Sequence, residues 1–207
     1  MRIVFVAVLV AVLAGCTSQS DDQAPIIAPQ GPGEQARTLS PDDVGTDRWV
    51  APSEADLEYV ARMIVHHEQA LDMAALAPDR AQNETVRGLA SRIHDTQGPE
   101  IAAMEQWQRQ YAENAPAHGH SAELPDVGHE SMPGMATEEQ MAALAAARGA
   151  DFDRLFLQLM IAHHEGAVRM AVEVLSAGRD VRVEEMANDV AASQTDEIDR
   201  MKAITIP

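Results

Sequence analysis

Met63-Ile64-Val65-His66-His67-Glu68 recurs 97 residues later as Met160-Ile161-Ala162-His163-His164-Glu165. The same offset, without a gap, pairs Asp56 with Asp153, Tyr59 with Phe156, Met73-Ala74 with Met170-Ala171, and Asn83 with Asp180. It continues through Gln97 and Gln194, Glu100-Ile101 and Glu197-Ile198, and Met104 and Met201. A single register held over this length is an internal duplication, so the fold is expected to consist of two like halves.

Each copy reads as two helices. Ser53 stands in capping-box spacing to Asp56, and the first helix is expected to run to Ala77, where Pro78 stops it. Asn83 suits the N-cap of a second helix that continues through Trp107 to about Ala112. In the second copy a helix from near Gly149 to Ala177 is expected to end at Gly178, and Asp180 caps the last one. Thr137 and Gln140 have capping-box spacing for a short extra helix that Gly149 would close. Two similar hairpins of long helices make an all-α four-helix bundle the expected fold. Gly98-Pro99 falls inside the second helix and predicts a kink there, because proline removes a backbone hydrogen bond.

On a wheel of about 100° per residue, Met63 shares a face with Tyr59, Val60, Ala70 and Ala74. His67 falls within that face, His66 at its margin with Met73, and Glu68 at the edge. The second helix has a 4-3-4-3 seam of Val86, Ala90, Ile93, Gln97, Glu100, Met104, Trp107 and Tyr111. An amide and a carboxylate thus occupy seam positions, and Gln194 and Glu197 repeat them. Buried without partners such groups cost several kcal/mol, so the facing histidines are their expected partners.

Two readings follow. In one, His, Gln and Glu form a structural hydrogen-bond network with Met as core filler. In the other, His66, His67, His163 and His164 converge with Met63, Met73, Met160 and Met170 to hold a metal. Gln97, Glu100, Met104, Gln194, Glu197 and Met201 then form a second tier. Imidazole alone admits zinc, copper, nickel or iron, whereas thioethers select soft ions, above all Cu(I). Cu(II) suits the histidines, and the spacing does not exclude zinc. A di-iron carboxylate centre would need Glu-x-x-His pairs, which neither Glu68 nor Glu100 nor Glu165 supplies. The connector adds His118, His120, His129, Met132 and Met135, which either gather or cover an ion or belong to a solvated loop.

The rest of the chain concerns location and exclusion. Ile3 to Leu13 is an uncharged apolar run after Arg2, too short to span a bilayer but suited to a signal peptide. It ends in Leu13-Ala14-Gly15-Cys16, which resembles the lipobox of bacterial lipoproteins. That resemblance implies removal of residues 1–15, lipid on Cys16 and an extracytoplasmic, membrane-anchored protein. Residues 17–52, rich in Ser, Gln, Asp, Pro and Gly, read as a flexible tether, followed by hairpins over 53–112 and 137–207 and a connector over 113–136. Lys and Arg total 15 against 33 Asp and Glu, a formal charge of −18 that argues against a nucleic-acid partner. The single Cys excludes an internal disulfide framework and a Cys-rich zinc site.

The two Met-Ile-x-His-His motifs, Gln97 with Glu100-Ile101 and Met104, Met132-Pro133-Gly134-Met135, and Phe152-Asp153 leading into Phe156-Leu157 together resemble a bacterial family, domain of unknown function 305. The resemblance spans about residues 53 to 204. It implies a ferritin-like helical fold and a secreted or periplasmic location, and some members, those called CopM, bind copper. Gly98-Pro99 departs from the family's smooth helix. The function expected is therefore copper sequestration, resistance or delivery by a lipoprotein, with a copper-handling protein as a further partner. The alternatives are a ferritin-like metal-dependent oxidase, which would need bridging carboxylates at Glu100 and Glu197, and a metal-free helical interaction module.

Overall fold

The computed structural model describes residues 26–28, 37–39, 51–114 and 132–207, and the chain divides into two units, Met1–Arg48 and Trp49–Pro207. In the first unit, β1 (Ile26–Ala28) pairs antiparallel with β2 (Arg37–Leu39), Ile27 standing opposite Thr38. The segment expected to be a flexible tether thus carries a short strand pair, formed where β-branched residues cluster.

The second unit is all-helical: α1 (Glu54–Ala75), α2 (Ala77–Arg80), α3 (Glu84–Asn114), α4 (Glu138–Ala146), α5 (Gly149–Ala177) and α6 (Val181–Lys202). Its four long helices form the bundle, α1 packing on α3, α5 on α6, and α1 on α5. The Ser53–Asp56 and Thr137–Gln140 capping boxes are both closed reciprocally. Asn83 Oδ1 accepts from Thr85 N–H at 2.8 Å, and Asp180 Oδ1 from Arg182 and Val183 N–H at 3.0 and 3.1 Å.

Two local expectations change. Helix α1 ends at Ala75, not Ala77, and Pro78 opens the next helix. In that first turn its missing N–H costs nothing, so proline starts α2 instead of stopping α1. Helix α3 runs continuously from Glu84 to Asn114 with Pro99 inside it. Ala147 caps α4, so Gly149 opens α5.

The core forms two apolar clusters, one on each side of a polar layer. The first gathers Ala70, Met73 and Ala74 of α1 with Phe152, Phe156 and Met160 of α5, and is closed by Leu144 of α4. The second gathers Tyr59, Val60 and Met63 with Ala167, Met170, Ala171 and Val174, together with Met104, Trp107 and Met132. Early α1 thus meets late α5, so the two helices run antiparallel. The layer between the clusters holds His66, His67, His163 and His164, all fully buried.

The duplication is visible in the hydrogen bonds themselves. Asp153 accepts from the N–H groups of Gln82 and Asn83, at the start of α3 in the other copy. Asp56 accepts from the N–H groups of Arg179 and Asp180, at the equivalent place before α6. Each copy therefore lends a buried carboxylate to the helix start of its twin, and the copies are related by an approximate two-fold axis.

Candidate metal centre

The equivalent residues His66 and His163 meet at that axis as a tilted pair, with ring centroids 3.7 Å apart and planes 34° from parallel. His67 and His164 flank them. His67 Nε2 lies 2.8 Å from Glu100 Oε2, and His164 Nε2 lies 2.7 Å from Glu197 Oε2. A carboxylate can only accept, so in each pair the imidazole Nε2–H donates. The seam carboxylates therefore have the partners that the sequence predicts.

In a neutral ring that donation sets the tautomer: with Nε2 protonated, Nδ1 of His67 and of His164 carries the lone pair, and neither Nδ1 has a partner among the described residues. His66 repeats the pattern by a different route, donating from Nε2 to the Pro133 carbonyl at 3.0 Å and leaving Nδ1 unpartnered. His163 makes no hydrogen bond through either nitrogen among the described residues. The His66 carbonyl lies close enough to ease its charged form slightly, but without hydrogen-bond geometry. Burial pushes the His66 imidazole down to about 3, against an opposing pull from the Pro133 carbonyl, while His67, His164 and Arg62 push it further down. His163 lies well below the ordinary histidine range, first through burial and then through His66, His164 and His67.

Lone pairs on neutral imidazoles are what a metal requires, and carboxylates on the opposite ring nitrogen commonly orient metal-binding histidines. The seam amides do not follow: the side-chain oxygen and nitrogen of Gln97 and of Gln194, expected to pair with the facing histidines, are buried without partners among the described residues. An all-polar structural network would have satisfied these groups. Among the described residues, however, no three His, Cys, Asp or Glu side chains are grouped as a ready coordination shell. Any soft ion here needs thioether donors as well.

Four methionines flank the histidine layer. Met63 and Met160 each lie one helical turn before a His pair, and both are fully buried. Met170 joins Met63 in one core cluster, while Met73 joins Met160 in the other, so the set lies on both sides of the His layer. Met104 and Met201 are buried on the seams of α3 and α6. Glu68 is exposed, as its wheel position predicts.

The Met132-Pro133-Gly134-Met135 turn is seated across α1 and α5 at the level of the histidines. Besides the His66 bond to Pro133, Gln69 Oε1 accepts from Ala136 N–H at 2.7 Å, and its Nε2 donates to Ala136 O at 2.9 Å. On the α5 side the turn sits directly on backbone. A Cβ on Gly166 would overlap the Pro133 carbonyl, and one on Gly134, whose φ is +82°, would overlap the Ala162 carbonyl. Met132 is buried and Met135 partly so, which favours the covering reading for this part of the connector. His118, His120 and His129 lie outside the described residues.

Gly166→Ala should therefore lift the turn while leaving helix content unchanged. The expected loss is about 1–3 kcal/mol, from overpacking and the broken His66–Pro133 bond. Thermal unfolding together with hydrogen exchange at Met135 and Ala136 measures it. Exchange as slow as in the parent protein would show that the turn does not depend on this contact.

Sequence reasoning missed Gln69, Pro133 and Gly166, whose polar or small character has no periodic signal. It also missed the exchange of Asp56 and Asp153 between copies, although their recurrence was visible. No described helix is long and apolar enough to cross a membrane.

Comparison with curated proteins gives no match. Among solved structures, a family protein from Streptomyces coelicolor is 33% identical, with 71% of this chain and 88% of that one covered, at a TM-score of 0.61. A fragment from Deinococcus radiodurans is 32% identical over 74% of this chain and 96% of that one, at a TM-score of 0.63. CopM in its Cu(I)-bound form is 29% identical over 71% of this chain and 92% of its own, at a TM-score of 0.57. CopM structures with Cu(II) and with silver are similar too. The family model of the domain of unknown function DUF305 matches residues 56–205. With the duplicated His-His helices and their seam partners inside that span, the chain belongs to the DUF305 family.

Proposed function

We propose that this protein binds a soft metal ion, copper as Cu(I), as cargo inside the bundle, for sequestration, resistance or delivery. The observation that carries this reading is the set of buried imidazole Nδ1 atoms without partners among the described residues, whose opposite nitrogens are held by Glu100, Glu197 and Pro133. His66, His67, His163 and His164 are the nitrogen donors, and Met63, Met73, Met160 and Met170 the thioether donors. Gln97, Glu100, Met104, Gln194, Glu197 and Met201 form the surrounding tier. Similarity to CopM, described in Cu(I)-, Cu(II)- and silver-bound forms, supports the choice of ion. The thioethers favour Cu(I) over zinc, while Cu(II) would rely on the imidazoles. The reading places the protein outside the cytoplasm, held to the membrane by lipid on Cys16, with a copper-handling protein as donor or acceptor. Glu100 and Glu197, which an oxidase would need as metal bridges, are each engaged by a histidine.

Competition of the purified protein with a Cu(I) chelator, and titration with Ag(I), tests the reading. Replacing His66 and His163 by Leu should weaken binding by about a hundredfold, as expected when two imidazole donors are lost. Replacing the four methionines by Leu keeps volume and apolarity, so the fold should persist. Cu(I) retention at mildly acidic pH should then fall, because thioethers lose no proton on binding whereas imidazoles do. Undiminished affinity in both variants would leave only the structural network.

A further inference from the structure

Where two copies share a fold, the positions at which they differ in kind mark what only one of them does. Glu58, Tyr59, Arg62 and Glu173 line a small cleft between the start of α1 and the end of α5, with Ala55 and Met170. At the duplication offset of 97, the first three correspond to Leu155, Phe156 and Leu159, while Glu173 corresponds to Leu76 and Ala55 to Phe152. Every polar lining residue has an apolar twin. The twin end is sealed: Phe152 and Phe156 are fully buried and Leu159 nearly so, in a cluster covered by Leu144 of α4 and by Ile204 and Ile206.

Along α1, Tyr59 and Met63 stand between the open end and the histidines. Tyr59 is 4% exposed, and its hydroxyl is buried without a partner among the described residues. Burial and, secondarily, the Glu100 charge raise its pKa, so the phenol lies within electrostatic reach of the carboxylate that holds His67. Arg62 on the same wall is felt at His66. Met170 offers a thioether in the wall, and Met63 stands one turn below Tyr59 towards His66. The space open to water is about 100 Å³, room for waters or an ion but not for an organic ligand. Glu58 is paired with Arg62 at 2.9 Å, and Glu173 adds a second carboxylate at the rim.

We propose that this cleft is the access route by which a monovalent soft cation reaches the buried histidines, with the acidic rim drawing it in and Met170 the first thioether it meets. The inference rests on the soft-metal reading above and adds where the ion passes. The twin end supplies the blocking residue: Ala55→Phe places a ring where the second copy has Phe152, immediately before the same capping aspartate. Full-length protein is mixed with Ag(I), quenched with excess chelator at set times, and the retained metal is measured by mass spectrometry. Ala55→Phe should slow loading by about tenfold while leaving equilibrium affinity within about twofold, since it narrows passage and removes no donor. Glu173→Gln should slow loading by about twofold at low salt and not at high salt. Gln69→Ala, which loosens the turn over the histidines, tests entry past that turn, and its loading rate is compared with those of the cleft variants. If the parent protein retains no Ag(I), both the reading and the route fall. If it does, and the two cleft variants load normally while Gln69→Ala alone changes the rate, the route is overturned and the soft-metal reading stands. An Ala55→Phe chain that fails to fold leaves Glu173→Gln and its salt dependence to decide.

Discussion

Metal-free protein should lose stability steeply as pH falls below about 6.5, and His66 and His163 should be the cause. Both are buried and held neutral, His66 at about 3 and His163 well below its ordinary value. In the unfolded chain each takes up a proton near the reference value, whereas the native state refuses it. Stability therefore rises with pH wherever only the unfolded state is protonated. Their neutral burial is without pH penalty above the unfolded value, and its cost grows as pH falls from about 6.5 towards 3. Each contributes a slope of about 1.4 kcal/mol per pH unit, so the pair costs about 4 kcal/mol between pH 6 and 4.5. Denaturant unfolding of metal-free protein across that range measures it, and His66→Leu/His163→Leu should flatten the slope. A parent protein as stable at pH 4.5 as at pH 7 would show that these rings are protonated in the folded state. Because an ion would bind the same neutral rings, metal should raise stability most near neutral pH and least in acid.

Much of this site could be read from the chain because duplication doubles every signal. A single histidine on an apolar face says little, but His66-His67 and His163-His164 recur with Gln and Glu on the partner seam, and burial of all four follows. The His67–Glu100 and His164–Glu197 pairs were legible for the same reason: both partners are polar, both sit on core faces, and burial demands a match. What the chain does not display is contact made by backbone. The Pro133 carbonyl that fixes the His66 tautomer belongs to a residue without a polar side chain. The turn's seat depends on two glycines, Gly134 and Gly166, whose meaning lies in the side chains they lack. The start of α2 was misjudged because proline ends one helix and opens another with equal ease, and only Leu76 at the junction separates the cases. The open cleft carries no such signal, because its lining residues Glu58, Arg62 and Glu173 have no like counterpart in the other copy.

The largest effect of a single side chain is expected at Asp56. Its carboxylate accepts from Ser53 N–H and Oγ–H, both at 2.7 Å, within its own copy. Across the copies it accepts from Arg179 N–H at 3.1 Å and Asp180 N–H at 3.3 Å, where α5 gives way to α6. The residue is 1% exposed, so water cannot take over these donors when the carboxylate is removed. Each buried N–H left unsatisfied costs about 1–3 kcal/mol, and Asp56→Ala should destabilise by about 3 kcal/mol or more. Asp153→Ala should cost less, because Asp153 accepts from two backbone donors, Gln82 and Asn83, and has no Ser53 counterpart bonded to it. Asp180 depends on this arrangement twice over, since it caps α6 and accepts from Trp107 Nε1–H at 3.2 Å. Asp56→Ala should thus also shift the Trp107 emission, whereas Asp153→Ala should leave it nearly unchanged. Denaturant unfolding monitored by circular dichroism and by fluorescence separates the two. Equal destabilisation by both variants, with no change at Trp107, would mean that the cross-copy bonds carry the whole effect and the capping box at Ser53 adds nothing.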